Sequence, residues 1–172
     1  MGAINGTGRC SSGRVDLPTA GYFCGMAEVT RDVDAPVSQV WGVIADGWSY
    51  AGWVVGASHI RKVDAGWPAL GTRIHHSVGA WPVTIDDTTE VVRVDPGRMI
   101  ELTARAWPTG EALVRLELEP QGPARTRMRM VEQARSGPAR LLPKPVQDAL
   151  LKPRNVEALS RLSDLALRRS GD

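Results

Sequence analysis

The pattern of apolar and polar positions becomes regular at residue 27. Residues 27–33 (AEVTRDV) alternate with a period of two, which predicts a β-strand. Apolar residues then recur at helical spacing over residues 37–45, directly after Pro36, and proline is favoured in the first turn of a helix. Residues 46–56 (DGWSYAGWVVG) interrupt this helix and leave room for a second, shorter helical turn. This part of the chain therefore predicts a strand followed by a helix pair.

Six further segments favour β-strands, and turn-forming residues separate them. Gly66-Trp-Pro68, Asp95-Pro-Gly97 and Pro108-Thr-Gly110 combine glycine and proline in the way that is typical of tight turns. Connections this short join antiparallel neighbours, so the segments predict a meander. The six predicted strands are residues 57–63, 72–78, 81–94, 98–107, 111–119 and 124–134.

The last part of the chain changes to the helical period. Apolar residues recur every three or four positions from about Leu142 to Arg169, which predicts a long helix with one apolar stripe. Pro153 lies inside this segment and removes a backbone donor, so we expect a kink or a break there. The order of elements predicts an α+β fold, in which a curved antiparallel sheet of about seven strands wraps around the long C-terminal helix. The shorter helix pair follows the first strand.

Strand alternation assigns one face of the sheet to the helix and the other face to solvent. The expected inward face carries several alanines and two methionines, so space between sheet and helix is either filled by bulky helix residues or kept as a cavity. The outward face mixes Glu and Arg, whose opposite charges pair across strands. The inward residues are Ile100, Leu102, Ala104, Ala106, Ala112, Val114, Leu116, Leu118, Thr126, Met128, Met130 and Glu132. The outward residues are Glu101, Arg105, Arg115, Glu117, Glu119, Arg127 and Arg129.

Length and composition indicate one globular domain. The chain has 172 residues, of which 42% are hydrophobic and 23% charged, values that are ordinary for soluble proteins. Residues 1–25 are rich in Gly, Ser and Thr and lack periodicity, so we expect a disordered or loosely attached arm before a single domain over residues 26–172. Both cysteines, Cys10 and Cys24, lie in that arm.

Charge and hydropathy exclude several functional classes. The formal net charge is +2 with both signs interleaved, so we expect no nucleic-acid partner. No apolar run is long enough to span a bilayer, and no signal peptide is recognisable, so we expect a cytoplasmic protein. His59, His75 and His76 have no inward carboxylate at ligand spacing, so no metal site is predicted. The oligomeric state stays open.

The order of several segments resembles a known superfamily. VTRDVDAP (29–36) leads into VSQVWGVIAD (37–46) and the Trp-bearing residues 48–64, and GEALVRLELEP (110–120) and NVEALSRLSDLA (155–166) follow later. In this order they resemble the SRPBCC helix-grip superfamily, which includes START-like lipid-transfer domains, the birch-pollen allergen and polyketide cyclase/dehydrase-like proteins. The order of elements, rather than any single motif, carries the resemblance.

The resemblance implies an elongated apolar cavity between the sheet and the long helix. It therefore implies binding of a hydrophobic small molecule or lipid, with no cofactor. One alternative is a polyketide aromatase/cyclase or dehydratase-like enzyme that uses the same cavity. A second alternative is a macromolecular interaction protein with a filled core. Because the superfamily has no universal catalytic motif, the resemblance leaves open whether the chain is an enzyme.

The candidate cavity walls combine this resemblance with the inward residues. Trp41 belongs to the apolar stripe of the first helix and is expected in the core. Trp48, Tyr50 and Trp53 lie in or beside the break over residues 46–56, and aromatic side chains with one polar end suit a pocket rim, Trp53 more than Trp48. The candidate ligand-binding residues are Trp53, Trp81, Leu102, Val114, Met128, Met130, Leu150 and Leu159.

Polar candidates for the cavity are few. Glu132 continues the inward row of the last strand, where it either is reached by water near the strand end or paired with an arginine, or acts as a partly desolvated acid or base. His76 either is an ordinary satisfied histidine or binds or protonates a ligand. These two are the candidate catalytic residues. Asp86 and Asp87 are interpreted as a bulge or bend in their strand.

Overall fold

The computed structural model describes residues 27–80, 83–106, 110–141 and 143–169. The expected N-terminal arm and the candidate wall residue Trp81 lie outside these residues. Among the described residues, no helix combines the length and the apolar character that crossing a membrane requires.

In the described part of the chain, seven antiparallel strands form one open sheet. Their spatial order is β1-β7-β6-β5-β4-β3-β2, so that only the first strand departs from sequence order by pairing with the last. The strands are β1 (Ala27–Val33), β2 (Ala57–Val63), β3 (Arg73–Ala80), β4 (Val83–Asp95), β5 (Met99–Ala106), β6 (Gly110–Gly122) and β7 (Arg125–Ala134). Each of the seven sequence-predicted strands is present, which confirms the predicted meander.

Within the described ranges, three α-helices complete the fold: α1 (Val37–Ala45), α2 (Tyr50–Trp53) and α3 (Lys144–Arg168). A 3₁₀ turn, Gly47–Ser49, joins α1 to α2, and its Ser49 hydroxyl lies 2.6 Å from the carbonyl oxygen of Val43 at the end of α1. The expected helix pair is therefore confirmed. α3 is continuous through Pro153, so the predicted alternative of two separate helices is wrong. Packing of the apolar stripe on the sheet supports this helix despite the missing donor.

The core lies between the sheet and the helices, as the α+β helix-grip prediction requires. α3 contributes Ala158, Leu159, Leu162 and Ala166 to the same buried cluster as α1, α2 and the inward faces of the strands. The outward face carries the predicted charge pairs, with Arg129 bridging Glu28 and Glu117 and Arg115 bonded to Glu101. Sheet and helix therefore divide the polar and apolar residues as alternation predicts.

The interpretation of Asp86 and Asp87 as a bulge is wrong. β4 pairs with β3 without interruption from Val83 to Glu90, and Asp87 lies directly opposite His76. The register shift of β4 instead falls between Val91 and Arg93, on its β5 side. Asp87 therefore shares the inward face with His76.

Candidate functional site

A cavity of about 180 Å³ opens between the sheet and the first half of α3. Alanine, valine and glycine supply nine of its 19 lining residues, and the alanines of β5 and β6 stand where sequence alternation predicted spare room. Small residues opposite a helix leave a space that their neighbours do not fill. The lining residues are Tyr50, Val54, Val55, Gly56, Ala57, His76, Val78, Thr89, Ala104, Arg105, Gly110, Glu111, Ala112, Glu132, Ala134, Gln147, Leu150, Leu151 and Arg154.

A smaller cavity of about 50 Å³ adjoins the larger one. The two share six lining residues, Tyr50, Val54, Val55, Ala104, Glu132 and Arg154. The smaller cavity is further lined by Trp53, Leu102, Val114, Met130, Asn155 and Ala158. We call it the inner chamber. The larger cavity is called the outer cavity, because the 62%-exposed Leu150 stands on its wall.

The predicted wall residues fall into three groups. Leu150 lines the outer cavity, and Trp53, Leu102, Val114 and Met130 line the inner chamber. Met128 and Leu159 are 0% exposed and pack in the core, and neither lines either cavity. Of the other tryptophans of the interrupted segment, Trp41 packs against the core as expected and Trp48 is 64% exposed.

Three side chains form a buried hydrogen-bonded row on the wall of the outer cavity. The hydroxyl of Thr89 lies 2.9 Å from the Tyr50 hydroxyl and 3.0 Å from His76 Nε2. Thr89 of β4 lies opposite Ile74 of β3, and His76 is two residues beyond Ile74 on the same strand. His76 and Thr89 therefore share one face of the sheet. α2 brings Tyr50 over them, with its ring centroid 5.4 Å from that of His76.

Burial sets the protonation of this row. Burial raises the pKa of the Tyr50 phenol to about 12, although the hydrogen bond with Thr89 acts in the opposite direction. Burial also lowers the pKa of His76 below its usual value, against the weaker opposing effect of the Asp87 carboxylate. At neutral pH the row therefore holds a protonated phenol and a neutral imidazole.

Glu132 and Arg154 form an ion pair that links β7 to α3. Arg154 donates through a terminal guanidinium nitrogen to Glu132 Oε1. The Glu132 side chain is 2% exposed, whereas Arg154 is 40% exposed. Of the two alternatives for Glu132, the structure shows pairing with an arginine. The pair also stands on the wall that the two cavities share.

Buried polar atoms without a protein partner collect around the two cavities. Among the described residues they are Trp53 Nε1, His76 Nδ1, Asp87 Oδ2, Glu132 Oε2, Arg154 Nε and Asn155 Nδ2. Asp87 lies opposite His76, and the other five residues line one cavity or both. Buried polar groups are normally hydrogen-bonded, so such a concentration indicates a place where a bound molecule can supply the partners.

The sequence indicated Glu132 and His76, and Tyr50 only as one aromatic residue of the break, but it missed three residues beside them. The pattern did not distinguish Tyr50 from other residues of a helical turn, or Thr89 from any other threonine of a strand. Arg154 and Asn155 follow Pro153, where an interruption of the helix was expected. The available signal was the helical spacing from Leu150 and Leu151 to Arg154, which places these residues on one face of α3. No group of three or more metal-ligating side chains occurs in the part of the chain that the structure describes.

Comparison with known proteins agrees with this architecture. Residues 26–166 match the family model described as "Polyketide cyclase / dehydrase and lipid transport". No curated protein matches the chain.

Solved structures match the fold at low sequence identity. The Zhui aromatase/cyclase from Streptomyces sp. R1128 is 21% identical with a TM-score of 0.63, over 84% of this chain and 94% of that chain. BexL, a di-domain ARO/CYC from the BE-7585A biosynthetic pathway, is 19% identical with a TM-score of 0.65, over 86% of this chain and 48% of its own. Protein NE0264 from Nitrosomonas europaea is 15% identical with a TM-score of 0.63, over 86% and 97% of the two chains.

Proposed function

This chain belongs to the polyketide cyclase/dehydrase and lipid transport family, and we propose that it binds a hydrophobic small molecule in the outer cavity and the inner chamber. Membership also confirms the resemblance to the SRPBCC helix-grip superfamily. The observation that carries the proposal is the outer cavity of about 180 Å³, whose wall surface is mostly apolar. For comparison, an apolar protein cavity of about 150 Å³ binds benzene.

Burial of apolar surface would supply most of the affinity. Transfer of apolar surface out of water contributes roughly 25 cal/mol per Å², less the cost of ordering the ligand. The few polar groups on the wall would orient the ligand rather than hold it. The alternative of an interaction protein with a filled core has no support among the described residues, because the space between sheet and α3 is open.

Titration with the neutral fluorescent probe N-phenyl-1-naphthylamine tests the proposal. Wild-type protein should give saturable binding of one probe per chain. Ala112→Phe, which fills the outer cavity, should weaken binding at least tenfold. Glu119→Phe adds the same ring to the exposed outer face of the same strand, β6, and should leave binding unchanged. Equal binding by both variants would show that the probe does not use the cavity.

A second function, cyclase or dehydratase chemistry, is favoured by one observation. His76 Nδ1 is buried on the cavity wall without a partner, and Thr89 occupies Nε2. In the tautomer in which Nε2–H donates to Thr89 Oγ1, Nδ1 keeps its lone pair. The neutral imidazole could then accept a proton from a carbon next to a ligand carbonyl. The resulting enolate would form a carbon–carbon bond with a second carbonyl, and the new alkoxide would take the proton back.

Deuterium exchange into 2-tetralone separates the enzyme from the binding protein. If His76 is a base, wild-type protein should accelerate exchange at the carbons next to the carbonyl, and His76→Gln should reduce that acceleration about 100-fold or more. Binding of 2-tetralone should survive this substitution. Exchange that is no faster with wild-type protein than in buffer alone would leave binding as the function.

A further inference from the structure

The inner chamber, which adjoins the outer cavity, has both apolar and polar groups on its wall. Four of its lining residues each carry a buried polar atom without a protein partner. Trp53 Nε1, Arg154 Nε and Asn155 Nδ2 are hydrogen-bond donors, and Glu132 Oε2 is an acceptor. The remaining walls are apolar, including Leu102 and Met130. Each of these polar atoms lacks a partner while buried, which is costly unless a bound group completes its hydrogen bonds.

The set of three donors and one charged acceptor restricts what group can satisfy it. A ketone accepts but cannot donate, so it would leave the Glu132 oxygen without a partner. A carboxylate also cannot donate, and it would be repelled by Glu132. An ammonium group donates but cannot accept from the three donors. A hydroxyl group donates one hydrogen bond and accepts two, so it can satisfy the Glu132 acceptor and two of the three donors at once.

Size and position agree with a small polar group. The inner chamber of about 50 Å³ is too small for a ring system but exceeds the roughly 10–15 Å³ that one water-sized group needs. Tyr50, Val54 and Ala104 belong to both walls, so a molecule in the outer cavity lies next to the chamber.

We propose that the inner chamber is a subsite for a phenol, enol or alcohol hydroxyl, which donates to Glu132 Oε2 and accepts from Asn155 Nδ2 and from one of the two neighbouring donors. This inference rests on the proposed binding function. It fixes the direction of the ligand, with its hydroxyl end inward and its apolar body in the outer cavity. Glu132 and Asn155 are then specificity-determining residues for a ligand that carries a hydroxyl group.

The test compares 2-naphthol with 2-methoxynaphthalene by isothermal titration calorimetry. The two probes share the same rings, but the methoxy compound cannot donate a hydrogen bond. Wild-type protein should bind 2-naphthol about tenfold more tightly. Glu132→Gln removes the charged acceptor and Asn155→Leu removes one donor, and each should reduce this ratio to about threefold or less. Circular dichroism establishes that each variant is folded, and Asn155→Leu keeps the ion pair intact.

Leu150→Ala is the matched control, because Leu150 lines the outer cavity alone and is largely exposed. It should weaken both probes by the same factor and keep the ratio. A wild-type ratio near one, or a ratio that neither Glu132→Gln nor Asn155→Leu changes while both probes still bind, would overturn the hydroxyl subsite alone. Failure of both probes to bind wild-type protein would overturn the proposed function and the subsite together.

Discussion

Glu132 and Arg154 form an ion pair between β7 and α3 in which one partner is buried and the other reaches solvent. The two side chains therefore depend on each other unequally. The carboxylate relies on the guanidinium for its only charged partner among the described residues, whereas the guanidinium can be hydrated. This asymmetry matters for both proposals, because the pair stands on the wall that joins the two cavities.

Arg154→Met should destabilise the fold more than Glu132→Gln. Loss of the arginine leaves a buried carboxylate without its cation, at a cost of about 3 kcal/mol in the free energy of unfolding. Loss of the carboxylate charge leaves a partly exposed guanidinium and should cost about 1 kcal/mol. Arg161→Met, which removes an exposed pair with Glu157 on the same helix, should cost under about 0.5 kcal/mol. Urea unfolding measures all three, and equal costs for Arg154→Met and Arg161→Met would contradict the account.

Thr89→Val should cost more stability than Tyr50→Phe. The Thr89 hydroxyl is the shared partner of the Tyr50 hydroxyl and His76 Nε2, so its removal leaves both without a partner. The expected losses are about 2–3 kcal/mol for Thr89→Val and about 1 kcal/mol for Tyr50→Phe. Thr30→Val, at an exposed position of β1, should change stability by less than about 0.5 kcal/mol. A double-mutant cycle should give a Tyr50–Thr89 coupling of about 1 kcal/mol. A coupling of zero would show that the hydrogen bond between them does not contribute to stability.

His76 should make stability depend on pH in the weakly acidic range. Its pKa is lowered in the folded protein, so between that value and the usual 6.5 the unfolded chain binds more protons than the folded one. This contribution is fully present above pH 6.5 and is lost as the pH falls towards the folded-state pKa. His76→Gln should flatten the wild-type decline in the free energy of unfolding over that window. His59→Gln, at an exposed position of β2, should not flatten it. Parallel wild-type and His76→Gln profiles would be the contrary result.

Any side chain at Gly110, at the edge of the outer cavity, should destabilise the fold. Its φ is +113°, and an added Cβ would lie 2.0 Å from the carbonyl oxygen of Ser136. Gly110→Ala should therefore cost about 3 kcal/mol or more, since backbone atoms must move. Gly97→Ala provides a control with a positive φ of +76° but with no atom within 4 Å of the added Cβ. It should cost about 1–2 kcal/mol, from backbone strain alone. Thermal unfolding that gives equal shifts for the two variants would argue against the close approach.

The fold could be predicted from sequence because its signals are local. Period-two alternation and glycine- or proline-containing turns predicted all seven strands, and parity along each strand placed Glu132 and Met130 on the inward face. The interpretation of Asp86 and Asp87 was wrong because two adjacent polar residues resemble a bulge or bend, although they can also continue a regular strand. Because of that interpretation, Asp87 was not predicted to lie on the inward face opposite His76.

The site could be predicted only in part because it depends on contacts between distant segments. Tyr50 and Thr89 are 39 positions apart, and Glu132 and Arg154 are 22 apart. Alternation and helical period describe one element at a time, so they do not say which polar residues meet. Alanine at inward positions did indicate spare room, and Ala104 and Ala112 both line the outer cavity. Which of the predicted wall residues contact a ligand stays a prediction.

The central claim is that the space between the sheet and α3 holds an apolar molecule. Native mass spectrometry of wild-type and Ala112→Phe protein, purified gently from the same native host and followed by organic extraction, tests it most directly. We expect one apolar molecule per wild-type chain and none on Ala112→Phe. An adduct of equal occupancy on both proteins, or no adduct on either, would contradict it.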